Sequence, residues 1–99
     1  MESEKTISFI SDRKHYDIPI SDILYVFMKK QDAYVHISDG SIFKTRMTFA
    51  EFEEILGDDF IRIHRGCLIS AMAIHSVGRL ITLSNGDSLE YSAQHRVLR

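Results

Sequence analysis

The chain has 99 residues, room for one domain and no second core. Hydrophobic residues make up 44%, one proline and no glycine- or serine-rich stretch leave no place for a linker, and the single Cys67 excludes an internal disulfide. The net charge of −2, taken in bulk, speaks against a nucleic-acid partner.

The opening Met1-Glu2-Ser3-Glu4-Lys5 is acidic and polar, unlike a secretory signal. No apolar run approaches the roughly 18 residues that cross a bilayer, so a soluble cytoplasmic protein is expected. Thr6–Ile10 alternates around Ile7 and Phe9 as a strand does, and Ser11-Asp12-Arg13-Lys14 turns it into a second strand, His15–Ile18. Pro19 ends that strand or places it at an edge. Ser21-Asp22 caps a single helical turn before Ile23–Met28, a dense apolar run suited to a buried strand. After the polar connection Lys29-Lys30-Gln31-Asp32 come Tyr34–Ser38, Asp39-Gly40 and Ile42–Arg46, a hairpin in which Asp and Gly both tolerate positive φ.

The convincing helix is Phe49–Leu56. Thr48 with Glu51 forms a capping box, Met47 and Phe52 form a hydrophobic staple, and Gly57 is a natural stop. Phe49, Phe52, Ile55 and Leu56 make one apolar stripe for the core, leaving Glu51, Glu53 and Glu54 to water or to the positive end of the helix dipole. Phe60–His64 is a strand that leads, with Leu68-Ile69, to and from a basic tip. Ile74–Val77 and Leu80–Leu83 are strands, and Asn85-Gly86 is a type I′ hairpin signal leading to Leu89–Tyr91. Ser92 caps a last short helical turn over Ala93–Leu98. About ten short strands with one helix predict a mainly β fold, a sandwich or a stack of small antiparallel sheets.

The charge is unevenly spread. Met47–Asp59 holds five acids and no Lys or Arg, so the rest of the chain has twelve bases against nine acids. Those bases cluster at Arg13-Lys14-His15, Lys29-Lys30, Lys44 with Arg46, Arg62 with His64 and Arg65, and His95-Arg96. One acidic element opposite several basic loops fits directional docking on a polyanion. In the strand Ile61-Arg62-Ile63-His64 the isoleucines share one face while Arg62 and His64 share the other. Arg65-Gly66 lies at the turn, where Arg65 reaches away from the sheet with a fork that matches guanine or two phosphate oxygens.

Three stretches resemble the LytTR family of DNA-binding domains. Ile20-Ser21-Asp22-Ile23-Leu24-Tyr25-Val26 is similar to its entry strand, and Phe60-Ile61-Arg62-Ile63-His64-Arg65-Gly66-Cys67-Leu68-Ile69-Ser70 resembles its F-x-R-x-H-R/N-S signature. The segment from Ile81 to Ser92 is similar to its closing hairpin. The resemblance implies an elongated fold of small antiparallel sheets that reads DNA by loops, without a recognition helix, in successive major grooves. It implies sequence-specific duplex binding for transcription regulation, commonly behind a receiver domain and by two copies on direct repeats, with no enzymatic activity and no cofactor. Carried onto this chain, the contact residues are Lys29, Lys30, Gln31, Arg62, His64, Arg65, Arg79, Gln94, His95 and Arg96. Two departures stand out. Gly66 replaces the usual small hydroxyl residue, and the arginine usual shortly after the Ser92 position is replaced by Ala93 or Gln94, with Arg96 further on. Either Gln94 reads adenine or Arg96 substitutes from a shifted register.

Plainer readings stand beside these. Arg62 pairs with Asp58 or Asp59, His64 is a structural histidine, or Lys29 and Lys30 are solvated loop charges. The five histidines lack metal-ligand spacing, Ser92 and His95 lack an orienting acid, and no glycine-rich phosphate loop is present. The competing function is a β-rich protein-interaction module using a strand edge and the acidic helix face.

Overall fold

The computed structural model describes residues 5–89. Among the described residues ten short strands and one α-helix follow in order: β1 (Thr6–Ser11), β2 (Lys14–Pro19), β3 (Ile23–Lys29), β4 (Asp32–Ile37), β5 (Ile42–Thr45), α1 (Phe49–Leu56), β6 (Phe60–His64), β7 (Cys67–Ser70), β8 (Ile74–Val77), β9 (Ile81–Leu83) and β10 (Ser88–Leu89). They form three antiparallel sheets: the β1–β2 hairpin, a central sheet ordered β5-β4-β3-β7-β6, and a small sheet ordered β10-β9-β8. Single 3-10 turns at Ile20–Asp22, Gly57–Asp59 and Ala71–Ala73 lead into β3, β6 and β8. The expected last turn over Ala93–Leu98 lies outside the described residues.

The central sheet is covered on both faces, which explains its nearly continuous apolar strands. In β7 the side chains alternate strictly: Leu68 enters one core, whereas Cys67 and Ile69 enter the other. The first core joins Val26, Ala33 and Val35 to Ile7 and Phe9 of the hairpin and to Phe52 and Leu56 of the helix. The second joins Tyr25, Ile63, Cys67 and Ile69 to Ile81 and Leu83 of the small sheet. At ordinary transfer values each such fully buried aliphatic or aromatic side chain contributes about 1.5–3 kcal/mol. Burial pushes the Cys67 thiol up to about 12, so it stays protonated and inert.

Helix α1 has the expected bounds because its ends are chemically marked. Thr48 Oγ1 accepts from the Glu51 amide at 3.2 Å, and the Glu51 carboxylate accepts from the Thr48 amide at 2.9 Å. Phe52 and Leu56 are buried and Phe49 packs partly against the same core, but Ile55 is 42% exposed. The buried stripe is thus narrower than the apolar one. On the Ile55 side the helix lines an open cleft with Lys5, Ile20 and Met72.

The hairpin loops differ from expectation. At Asp39-Gly40 and Asn85-Gly86 only the glycine is left-handed, with φ of 96° and 98°. Each loop has three residues, closed by Ile37 N–Ser41 O and Gly40 N–Ile37 O in the first and by Leu83 N–Asp87 O and Gly86 N–Leu83 O in the second. The extra residue satisfies the strand twist with a single positive φ. The type I′ signature, two successive positive φ values, belongs instead to Asp12 (52°) and Arg13 (67°) between β1 and β2.

Tyr25 and His36 stack across β3 and β4 with ring centroids 4.0 Å apart, and Tyr25 Oη donates to Asp87 Oδ2 at 3.5 Å. Burial, with Asp87 nearby, pushes the phenol up to about 12. Burial lowers the His36 imidazole from 6.5, and Asp87 offsets only part of this. The native state therefore favours neutral His36, and the unfolded chain takes up the proton first. Stability is fully present above the ordinary imidazole value and is lost as pH falls below it. The urea midpoint should fall between pH 7.5 and pH 5.5, and His36→Phe, which keeps the stack, should flatten that slope. An equal slope in both proteins would remove His36 as its source.

Candidate nucleic-acid interface

The strand register brings the basic loops together. Lys29 faces Asp32 across the two-residue turn Lys30-Gln31, where Lys30 is left-handed at φ 59°. Phe27 faces Cys67, and the next amide, Met28 N, donates to Gly66 O at 2.7 Å, so the Arg65-Gly66 turn lies beside the end of β3. On the other flank Ala33 faces Thr45, which puts Arg46 opposite Asp32. Asp32 Oδ1 lies 3.4 Å from Arg46 Nε, and its Oδ2 lies 3.8 Å from Lys44 Nζ. One end of the central sheet therefore carries Lys29, Lys30, Gln31, Lys44, Arg46 and Arg65 around Asp32, and Asp12 of the β1–β2 turn lines the same cleft as Lys44 and Arg46.

The opposite end is acidic. The β4–β5 loop with Asp39 lies there, Ser38 N donates to Asp22 O at 2.8 Å, and Asp58 and Asp59 precede Phe60, which faces Ser70 at the far end of β7. The amide and hydroxyl of Ser41 hold the exposed Asp39 carboxyl below its usual range, so it stays ionised. Six residues of β4 separate the two ends by roughly 17 Å at the usual rise per residue. A molecule with one cationic and one anionic end orients in the field of a polyanion.

The tip itself is irregular. Arg62 faces Leu68 but His64 faces Cys67, so β6 carries one extra residue, a bulge, just before the turn. Ile63 is fully buried within that bulge. Arg65 is exposed at the turn. The Arg62 guanidinium is occupied by its own chain: Nη2 donates to Arg65 O at 2.9 Å, Nη1 lies 3.5 Å from Glu53 Oε2, and its carbon sits 4.7 Å above the Phe49 ring. Its acidic partner is on the helix itself, not Asp58 or Asp59 beyond it. Correspondingly, Glu53 meets a cation as well as water.

The remaining expected residues lie elsewhere. Arg79 is exposed on the Gly78–Leu80 turn between β8 and β9, in the small sheet. Gln94, His95 and Arg96 lie outside the described residues. Lys44 and Arg46 join the basic end although the family signature did not point to them. Their partner was not readable from the Asp39-Gly40 signal, since a two-residue loop there would pair Arg46 with Ala33, and only the three-residue loop observed sets it opposite Asp32. Among the described residues no group of His, Cys, Asp or Glu has the makings of a metal site, and no helix is long and apolar enough to cross a membrane.

Comparison with known proteins agrees with this geometry. No curated protein matches the chain. Among solved structures it is similar to the LytTr DNA-binding domain of a putative methyl-accepting/DNA response regulator from Bacillus cereus. The TM-score is 0.81 at 21% identity, covering 94% of this chain and 91% of that one, and the likeness establishes the shared fold. The family description "LytTr DNA-binding domain" matches residues 13–97, which takes in every basic loop of the sheet end. The chain belongs to the LytTR family of DNA-binding domains, whose members bind DNA to regulate transcription and are not enzymes.

Proposed function

We propose that this domain reads duplex DNA sequence-specifically with the basic end of its central sheet, loops entering the major groove. The observation that carries this is the convergence of Lys29, Lys30, Gln31 and Arg65 at one sheet end, with Asp22, Asp39, Asp58 and Asp59 at the other. Arg65 is placed to reach base edges, and His64 stands next to it at the end of β6. Gln31 offers an amide to a base or a phosphate, and Arg79 adds a phosphate contact from the small sheet. The segment with Gln94, His95 and Arg96 supplies a further contact, with Gln94 suited to adenine and Arg96 to phosphate. Two copies act on direct repeats, in a cytoplasmic regulator controlled by a receiver domain or another regulatory protein. Selection of bound duplexes from a random pool tests the reading: a consensus should emerge, and retention on DNA or heparin should fall steeply with salt. An unenriched pool with salt-independent retention would favour a protein-interaction module instead.

Lys29 and Lys30 present flexible ammonium groups on an exposed turn, a form suited to phosphates more than to base edges. Replacing both by glutamine should reduce the log–log salt slope by roughly one to two units. Titrations on the selected duplex at several salt concentrations measure this. An unchanged slope in a folded variant would show both to be ordinary solvated charges.

A further inference from the structure

We propose that Arg62 is a positioning residue for the reading tip, a brace from helix α1 to the Arg65 turn, and not itself a contact to DNA; this rests on Arg65 being a reader. Its guanidinium is engaged by its own chain on three sides, although 37% of the side chain stays exposed. One amine reaches the Arg65 carbonyl at 2.9 Å, the other the Glu53 carboxylate at 3.5 Å, and the plane lies over the Phe49 ring at 4.7 Å. The Nε–H is buried and meets no hydrogen-bond partner among the described residues.

The bulge explains why the tip needs such a brace. Between Arg62 and His64 the β6–β7 register shifts by one residue, so the ladder alone does not fix the turn that follows. The Arg62 amine ties the carbonyl of the turn residue to the strand that precedes it. Glu53 and Phe49 in turn fix the guanidinium from the first helical turns, one by charge and one by its ring face. Only a planar fork performs all three tasks at once; an ammonium is a single point charge. The acidic helix thereby acquires a part in DNA reading without touching DNA.

The test compares wild type with Arg62→Gln, Arg62→Lys, Glu53→Gln, the Arg62→Gln/Glu53→Gln double variant and Arg65→Ala. Each is titrated against the duplex obtained by selection and against a random-sequence duplex of equal length. The readouts are the preference for the selected duplex and the salt slope. Misfolded protein lowers both affinities together, so the preference reports on the tip alone. Arg62→Gln and Arg62→Lys should each lower the preference about tenfold, as loss of a charge-assisted hydrogen bond does, while the salt slope stays as in wild type. Glu53→Gln carries the sign that decides the matter. Removing an anion near a polyanion raises binding to random duplex, yet the preference for the selected duplex should fall. The double variant should be no worse than Arg62→Gln alone.

The proposal is overturned if Arg62→Gln reduces the slope by about one unit, the mark of a lost phosphate contact. It is equally overturned if Arg62→Lys keeps full preference, or if Glu53→Gln leaves it unchanged or raises it. Arg65→Ala separates the two ideas. If it lowers the preference while the Arg62 and Glu53 variants do not, the reader stands and the brace fails. If Arg65→Ala has no effect, both fail.

Discussion

Replacing Phe52 by alanine should destabilise the domain by about 3–5 kcal/mol, the range for deleting a buried aromatic ring. Phe52 is wholly inaccessible and, among the described residues, is the largest fully buried side chain. It belongs to the core that joins three elements: Ile7 and Phe9 of the hairpin, Val26, Val35 and Leu68 of the central sheet, and Leu56 of its own helix. Two terms add. The ring loses its transfer free energy, and a cavity remains because β-sheets on one side and a short helix on the other cannot collapse freely into it. The helix itself has eight residues, fewer than the ~12–15 an isolated helix needs, so its order depends on this packing and on its capping box. Against a typical total of about 5–15 kcal/mol, the loss leaves a marginal domain. Urea denaturation should show a much lower midpoint at an unchanged slope. Ile55→Ala, on the exposed side of the same helix, should change stability by only about 0.5 kcal/mol. Equal effects of the two substitutions would mean that the helix packs through a different face.

The contrast between Phe52 and Ile55 shows where the sequence stopped being informative. Helical periodicity placed both on one apolar stripe, and the caps at Thr48 and Gly57 set the helix bounds, because these are local chemistry. Which part of the stripe is covered depends on how far the neighbouring sheet and hairpin extend, which local pattern does not encode. The same division holds for the loops. Asx-Gly pairs marked both hairpins, but the choice between two- and three-residue loops depends on the register of strands that the loop only joins. The basic residues themselves were legible. Their convergence was not, because it depends on β7 inserting between β3 and β6, a pairing between segments some forty residues apart. Arg62 is the sharpest case. Alternation correctly set it apart from Ile61 and Ile63, but a bulge and the way the preceding helix packs beside β6 decide that its guanidinium meets Glu53.

Arg65→Ala should weaken binding to the selected duplex by about 1–3 kcal/mol, from roughly sixfold to over a hundredfold. Arg65 occupies the exposed position of a two-residue turn whose other residue, Gly66, is bonded through its carbonyl to β3. The turn backbone is thus held from both sides, by Met28 and by Arg62, and a side chain leaving such a turn reaches DNA with little further ordering cost. A guanidinium that meets guanine O6 and N7 in two parallel bonds discriminates one base, whereas one that meets phosphate does not. Arg65→Lys distinguishes the two. Lysine retains a point charge for phosphate but not the fork, so base reading predicts that it resembles Arg65→Ala at one position of the duplex. The measurement is a base-substitution profile with each variant. Loss of discrimination at a single base pair, with affinity for random duplex nearly kept, assigns Arg65 to a base edge. A uniform weakening of every duplex that Arg65→Lys restores would assign it to the phosphate backbone, and the reading of sequence would then rest with the other loops.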